Sequence, residues 1–159
     1  KMSLRKTIAL AAILFFTTET KAQEQVNWIN FEQLEEALQK QPKKVFVDFY
    51  ADWCKYCRRM DRLAFRDSRV VELLNDDYYA VRMDIESTDT VMFGGKKYVN
   101  ERARKVNSVH QIALLMASRK GKPFSLPAMV ILDEHFEAQA RYFQYLTAEQ
   151  LLGVLTDRD

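Results

Sequence analysis

The sequence predicts an α/β fold: one central mixed sheet flanked by helices on both faces. Three observations predict it. The first is Val45-Phe46-Val47-Asp48-Phe49-Tyr50, a run rich in β-branched and aromatic residues that reads as a buried strand and turns over Ala51-Asp52-Trp53 into helical spacing. The second is Tyr78–Ile85, a further strand so close behind that helix that the two strands are joined by a right-handed crossover and run parallel. The third is Ala128–Leu132, a turn at Asp133-Glu134-His135, and Glu137–Tyr142 as an antiparallel partner. With 159 residues, 48% hydrophobic and 29% charged, the chain has the composition of one globular domain with a full core.

Taken in order, residues 1–22 read as a secretory signal peptide. Lys1, Arg5 and Lys6 precede the apolar run Thr7–Phe16, and a small residue, Ala22, stands at the expected cut. The run is short for a membrane span, although an uncleaved anchor or a buried helix is the alternative. Without residues 1–22 the chain keeps 20 basic and 21 acidic side chains, a net charge of −1. That balance gives no reason to expect nucleic-acid binding. No second segment is apolar enough for stable membrane insertion once the leader is cut.

The domain then spans 23–159. Asn30 and Gln33 form a capping box for a helix over Phe31–Lys40, with Ile29 and Leu34 as its hydrophobic staple and Gln41-Pro42 as its stop. The strand Lys44–Tyr50 follows, then a helix from about Cys54 to Phe65. On that helix Cys57, Met60, Ala64 and Leu63 face inward, while Arg58, Arg59, Asp61 and Arg62 face water. Asp67 or Ser68 caps a shorter helix carrying Val70, Val71, Leu73 and Leu74. Between residues 86 and 125 the pattern predicts two helices joined by loops, with Gly94-Gly95 marking one loop. One helix is polar, Tyr98–Val106. The other is amphipathic, beginning at Ser108 with Val109, Ile112, Ala113, Leu115 and Met116, and is broken by Gly121-Lys122-Pro123. Thr147 and Gln150 cap a final helix through Leu155.

Cys54 and Cys57 are the only cysteines, and they stand where a helix begins. Backbone N–H groups and the helix dipole at an N-terminus favour an anion, so a thiolate on Cys54 is stabilised there. Lys55 adds a positive charge beside it. A thiolate is the species that attacks a disulfide, and Cys57, one turn along the same face, is placed to resolve the mixed disulfide that results. As a structural staple the pair is weak: a four-residue loop contributes about 2 kcal/mol in the chain-entropy picture.

The wording Val47-Asp48-Phe49-Tyr50-Ala51-Asp52-Trp53-Cys54-Lys55-Tyr56-Cys57, followed by a helix, a strand ending Val81-Arg82-Met83-Asp84, and Leu126-Pro127 opening a strand, resembles the thioredoxin superfamily. The Tyr-Ala-Asp-Trp-Cys-x-x-Cys phrase with Phe65-Arg66-Asp67-Ser68 is most similar to the C-terminal periplasmic domain of the bacterial transmembrane thiol–disulfide interchange reductase and to exported thioredoxin-like proteins. The resemblance implies a thioredoxin-like fold with a helical insertion, about 87–125, before the strand that a cis-proline opens. It implies that Cys54 is the exposed attacking thiol and Cys57 the buried resolving one, so that the redox-active disulfide Cys54–Cys57 is the whole redox apparatus and no bound cofactor is needed. Asp48 matches the buried acid that exchanges a proton with Cys57; a solvated strand-end carboxylate is the alternative. Arg82 matches the basic residue that accompanies that acid, or is a surface strand residue. Trp53 would shield the disulfide and face a partner, or is an ordinary packed aromatic. Pro127 matches the cis-proline, with Leu126 presenting its backbone to an extended substrate. Lys55 and Tyr56 between the cysteines, and Leu126 and Ala128 around the proline, differ from the family's usual residues.

These readings imply a periplasmic or otherwise secreted thiol–disulfide oxidoreductase that reduces disulfides of exported proteins, with electrons from a membrane thiol relay. Two other functions compete. One is a soft-metal, copper-binding module using the thiols with His110, His135 or a Met, although neither histidine has ligand spacing to the cysteines and each reads better as a surface or cap residue. The other is a binding protein whose 86–125 stretch recruits a partner.

Overall fold

A computed structural model describes residues 24–156, and the proposed leader lies outside them. The described chain runs α1 (Phe31–Lys40), β1 (Lys44–Tyr50), α2 (Lys55–Arg62), a 3₁₀ turn (Ala64–Arg66), α3 (Ser68–Asp77), β2 (Tyr78–Asp84), β3 (Val91–Phe93), β4 (Lys96–Tyr98), α4 (Gln111–Ala117), β5 (Ala128–Leu132), β6 (Ala138–Tyr142) and α5 (Ala148–Thr156). Among the described residues, no helix is long and apolar enough to cross a membrane.

The main sheet has the order β2-β1-β5-β6. β1 pairs parallel with β2 and antiparallel with β5, and β6 closes the edge antiparallel to β5. β1 is central and buried on both faces, which is why its sequence is almost continuously apolar. Alternation along the strands splits the core in two. Val45, Val47 and Phe49 point to the face covered by Phe31 and Leu34 of α1 and by Ile112, Ala113 and Met116 of α4. Phe46, Met129 and Ile131 point to the other face, against Met60 of α2, Val70, Val71 and Leu74 of α3, and Leu151 and Leu155 of α5.

Local chemistry sets the helix ends. Asn30 Oδ1 accepts from Gln33 N at 2.8 Å and Gln33 Oε1 accepts from Asn30 N at 2.9 Å, the complete capping box. Thr147 and Gln150 repeat it for α5. Asp67 caps α3 by accepting from Arg69 N. α2 tightens into the 3₁₀ turn at Leu63, and this swings Leu63 out to 53% exposure instead of inward as its spacing predicts.

The 87–125 stretch departs from the expected pair of helices. It holds a β-hairpin and one helix, α4. Gly94 and Gly95 both have positive φ (59° and 70°), and this two-residue turn folds Val91–Phe93 onto Lys96–Tyr98. The Gly-Gly pair is therefore a hairpin signal rather than an open loop, and the strands it joins are too short to show alternation. α1 supplies acceptors to the hairpin: Glu32 Oε1 takes Met92 N at 3.0 Å and Glu35 Oε1 takes Gly94 N at 2.9 Å. The polar residues 101–106 form successive turns rather than a helix, with Arg104 at a φ of 64°. α4 starts three residues later than Ser108 and ends at Ala117, and Leu115 on it faces outward.

Candidate active site

β1 carries the chain straight into the cysteine turn. Cys54 is the N-cap of α2, and its Sγ accepts from Cys57 N at 3.1 Å. That hydrogen bond puts the sulfur where helix N–H groups converge, the place that favours a thiolate once the pair is reduced. Cys54 and Cys57 are joined in a disulfide with their Cα atoms 5.3 Å apart. Both are covered: Cys54 is 4% exposed and Cys57 3%. The exposed Cys54 that the resemblance implies is therefore not found; as the cap it turns its sulfur back over the helix end. Beside it Trp53 stands 61% exposed and Tyr56 54%, so the surface around the disulfide is aromatic. Tyr56 meets Tyr145 at 6.2 Å between ring centroids, and Arg59 lies over the Tyr145 ring. Lys55 is exposed at the first position of α2.

The Leu126–Pro127 peptide is cis. Pro127 is buried just before β5, whose Ala128 pairs with Phe49 near the end of β1 that leads to the cysteines.

Under α2 lies a partly buried charge cluster. Asp48 is 2% exposed on β1 and shares the sheet face of Phe46, the side on which α2 packs. Its neighbour in register on β2 is Arg82. Arg82 Nε stands 3.2 Å from Asp48 Oδ2, an ion pair without the alignment of a hydrogen bond, and neither atom has a hydrogen-bond partner among the described residues. The same guanidinium donates to Asp61 Oδ1 on α2 at 2.6 Å and lies over the Tyr50 ring at 4.2 Å. Arg82 is thus shared between two carboxylates and an aromatic face. Burial pushes Asp48 up to about 7; Arg82 pulls it down, and Asp61 pushes it up again. Burial is the largest of these effects, and it outweighs the pull of Arg82, which Asp61 also engages.

Asp61 is the member of this cluster that spacing missed, since α2 places it among Arg58, Arg59 and Arg62 on the face expected to meet water. Its position four residues after Cys57, on the flank of α2 nearest β2, was the available signal. Asp61→Asn removes a neighbouring negative charge, so the Asp48 carboxyl is expected to titrate below about 7. NMR titration of that carboxyl checks the direction, and an unchanged or higher midpoint would refute the coupling.

The histidines do not join the cysteines. His110 is fully buried as the N-cap of α4, its Nδ1 accepting from Ile112 N and its Nε2 3.0 Å from Asp89 O. His135 is exposed in the β5–β6 turn. Among the described residues, no group of three or more His, Cys, Asp or Glu is placed to hold a metal ion.

Comparison with known proteins places this geometry among relatives. A family model described as thioredoxin-like matches residues 27–133. The thiol:disulfide interchange protein DsbD of Campylobacter jejuni (strain RM1221) is 31% identical over 71 residues, 45% of this chain and 12% of that protein. DsbD of Pseudoalteromonas atlantica is 41% identical over 63 residues, 40% of this chain and 10% of that protein. The matches thus take in about a tenth of those relatives' length. Among solved structures, the oxidised C-terminal domain of Neisseria meningitidis DsbD has a TM-score of 0.53 at 18% identity, covering 80% of this chain and 91% of that one. A thioredoxin from Thermus thermophilus gives 0.58 at 18% identity, with 84% and 86% covered. A DsbH oxidoreductase gives 0.55 at 18%, with 100% and 96% covered. At these identities the structural likeness is one of fold.

Proposed function

The chain belongs to the thioredoxin-like family, and from that premise we propose that it is an exported thiol–disulfide oxidoreductase that reduces disulfides of other exported proteins. The observation that carries this reading is the Cys54–Cys57 disulfide at the start of α2, with Cys54 Sγ accepting from the helix backbone.

The mechanism follows from the residues. In the reduced protein the Cys54 thiolate attacks one sulfur of a substrate disulfide. A mixed disulfide forms, and the other substrate sulfur leaves as a thiolate that takes a proton from water. Cys57 then gives up its proton and attacks Cys54 Sγ, which expels the second substrate thiolate and closes Cys54–Cys57. Two electrons have passed to the substrate. Asp48, with a carboxyl titrating at about 7, is suited to take the Cys57 proton near neutral pH. Trp53, Leu126 and Pro127 frame the disulfide for the substrate chain; Lys55, Tyr56 and Arg82 modulate the charge around it. The disulfide itself carries the electrons, so the reaction calls for no bound cofactor. Its regeneration calls for an external dithiol, and similarity to DsbD favours a membrane thiol relay as that donor. The basic-then-apolar leader over residues 1–22 supports export.

Equilibrating the protein with glutathione buffers tests the direction. A midpoint as reducing as that of thioredoxins, about −270 mV, is expected of a reductase, whereas one of about −120 mV would make it an oxidant and overturn the reductive assignment.

A further inference from the structure

Charge is unevenly spread along this chain. Residues 87–125 carry eight basic and two acidic side chains, whereas the rest of 23–159 carries twelve and nineteen. The near-neutral total therefore hides a segment of +6 set against a remainder of −7.

The fold gathers much of the positive charge around α4. Arg102, Arg104 and Lys105 stand in the turns before it, Lys120 and Lys122 in the loop after it, and all five are exposed. None of the five takes part in an ion pair among the described residues. Hydrogen bonds fix both loops. Val99 N donates to Gln111 Oε1 at 2.8 Å and Gln111 Nε2 donates to Glu101 Oε1 at 2.6 Å, fastening the leading turns to the first residue of α4. Arg119 Nη2 donates to Ser125 Oγ at 2.6 Å and steadies the trailing loop. Asn107 and Pro123 wall one cleft, so the chain before α4 and the chain after it lie side by side.

α4 itself supplies an apolar part. Its inner face, Ile112, Ala113, Met116 and Ala117, is buried against the sheet. Leu114 and Leu115 on its other face are exposed, Leu115 to 66%, and Val106 in the leading turns is 82% exposed. A solvated helix face carries polar groups; here leucines stand in water between two clusters of unpaired cations. That combination suits the boundary of an anionic bilayer, where apolar side chains enter the acyl region while Lys and Arg reach the phosphates. An acidic protein would answer the charge, but would need apolar groups in fixed register with Val106 and the leucines. A fluid bilayer offers both everywhere on its surface.

We propose that the outer face of α4, with the basic loops at its two ends, docks this protein on the surface of an anionic phospholipid bilayer, peripherally and without a spanning segment. The binding is independent of the oxidoreductase reading. Only its use rests on that reading: it would hold the disulfide beside a membrane thiol donor.

Co-sedimentation with vesicles gives the test. Residues 23–159 contain every element and both cores of the described fold, and they are used without the leader, whose basic and apolar run would bind lipid by itself. The protein is expected to bind phosphatidylcholine vesicles containing about 30% phosphatidylglycerol, to ignore pure phosphatidylcholine, and to be released by about 0.5 M salt. Arg104→Gln with Lys105→Gln, and separately Lys120→Gln with Lys122→Gln, should each weaken binding on the order of 25-fold, about fivefold per charge. Leu115→Ser should weaken it several-fold. Lys40→Gln with Arg62→Gln removes the same charge from the far end of α1 and from α2 across the sheet, and should leave binding unchanged. All these residues are exposed, so unchanged melting temperatures verify that the variants fold. No binding to the anionic vesicles, equal binding to neutral ones, or an equal fall in the control pair overturns the proposal. Binding to polyglutamate but not to vesicles would identify an acidic protein as the partner and overturn it as well.

Discussion

Cys54→Ser is expected to abolish disulfide reduction, with a loss on the order of 10³-fold or more, while Cys57→Ser loses turnover but accumulates a covalent mixed disulfide with its substrate. The difference follows from position. Cys54 caps α2 and has its sulfur held by Cys57 N, so only Cys54 has the helix end to stabilise its thiolate. A serine hydroxyl there stays protonated and does not attack. In Cys57→Ser the first attack proceeds and nothing releases the captured chain. Both variants should fold, because losing the four-residue loop closure costs only about 2 kcal/mol against a core that does not depend on it. Mass spectrometry of each variant after incubation with a disulfide peptide decides the matter. An adduct on Cys54→Ser and none on Cys57→Ser would reverse the assignment.

Asp48→Asn should slow catalysis and stabilise the protein at the same time. The amide cannot accept the Cys57 proton, so a loss on the order of 10²-fold is expected near pH 7, together with loss of the ionisation at about 7 from the pH–rate profile. The stability effect has a definite sign. Burial raises the folded-state Asp48 from 3.8 to about 7. Between those values the folded protein holds a proton that the unfolded chain has released, so stability falls as pH rises through that window. Above about 7 the cost is complete, on the order of 4 kcal/mol, and below 3.8 it vanishes. The substituted amide carries no charge to bury, so the variant's melting temperature should exceed that of the wild type by several °C at about pH 8, with the gain shrinking to nothing towards about pH 4. Thermal scans of the oxidised protein at the two pH values check it. A variant destabilised more at about pH 8 than at about pH 4 would mean that the Arg82–Asp48 pairing contributes more than burial costs.

The redox half of the molecule was legible because its signals are local. A buried strand running into Trp53-Cys54-x-x-Cys57, box residues three apart before α1 and α5, and Asp67 ahead of α3 each act through neighbours in sequence. The 87–125 stretch was not legible, because long-range partners settle it. β3 is held by carboxylates on α1 some sixty residues away, and His110, read as a surface or cap residue, is a fully buried cap whose ring also meets Asp89. Asp61 looked solvated for the same reason: Arg82, its partner, lies on a strand 21 residues on.

The sheet keeps the two cores apart, and the consequence is modularity. The cluster that tunes the Asp48 proton sits on the α2 side, while the anchors of the hairpin and α4 bind α1 and the chain just after β2. Changes on opposite faces of the sheet that share no partner add rather than interact. A designer can therefore rework the β3–β4 hairpin on its α1 side and leave the Asp48 proton chemistry as it was.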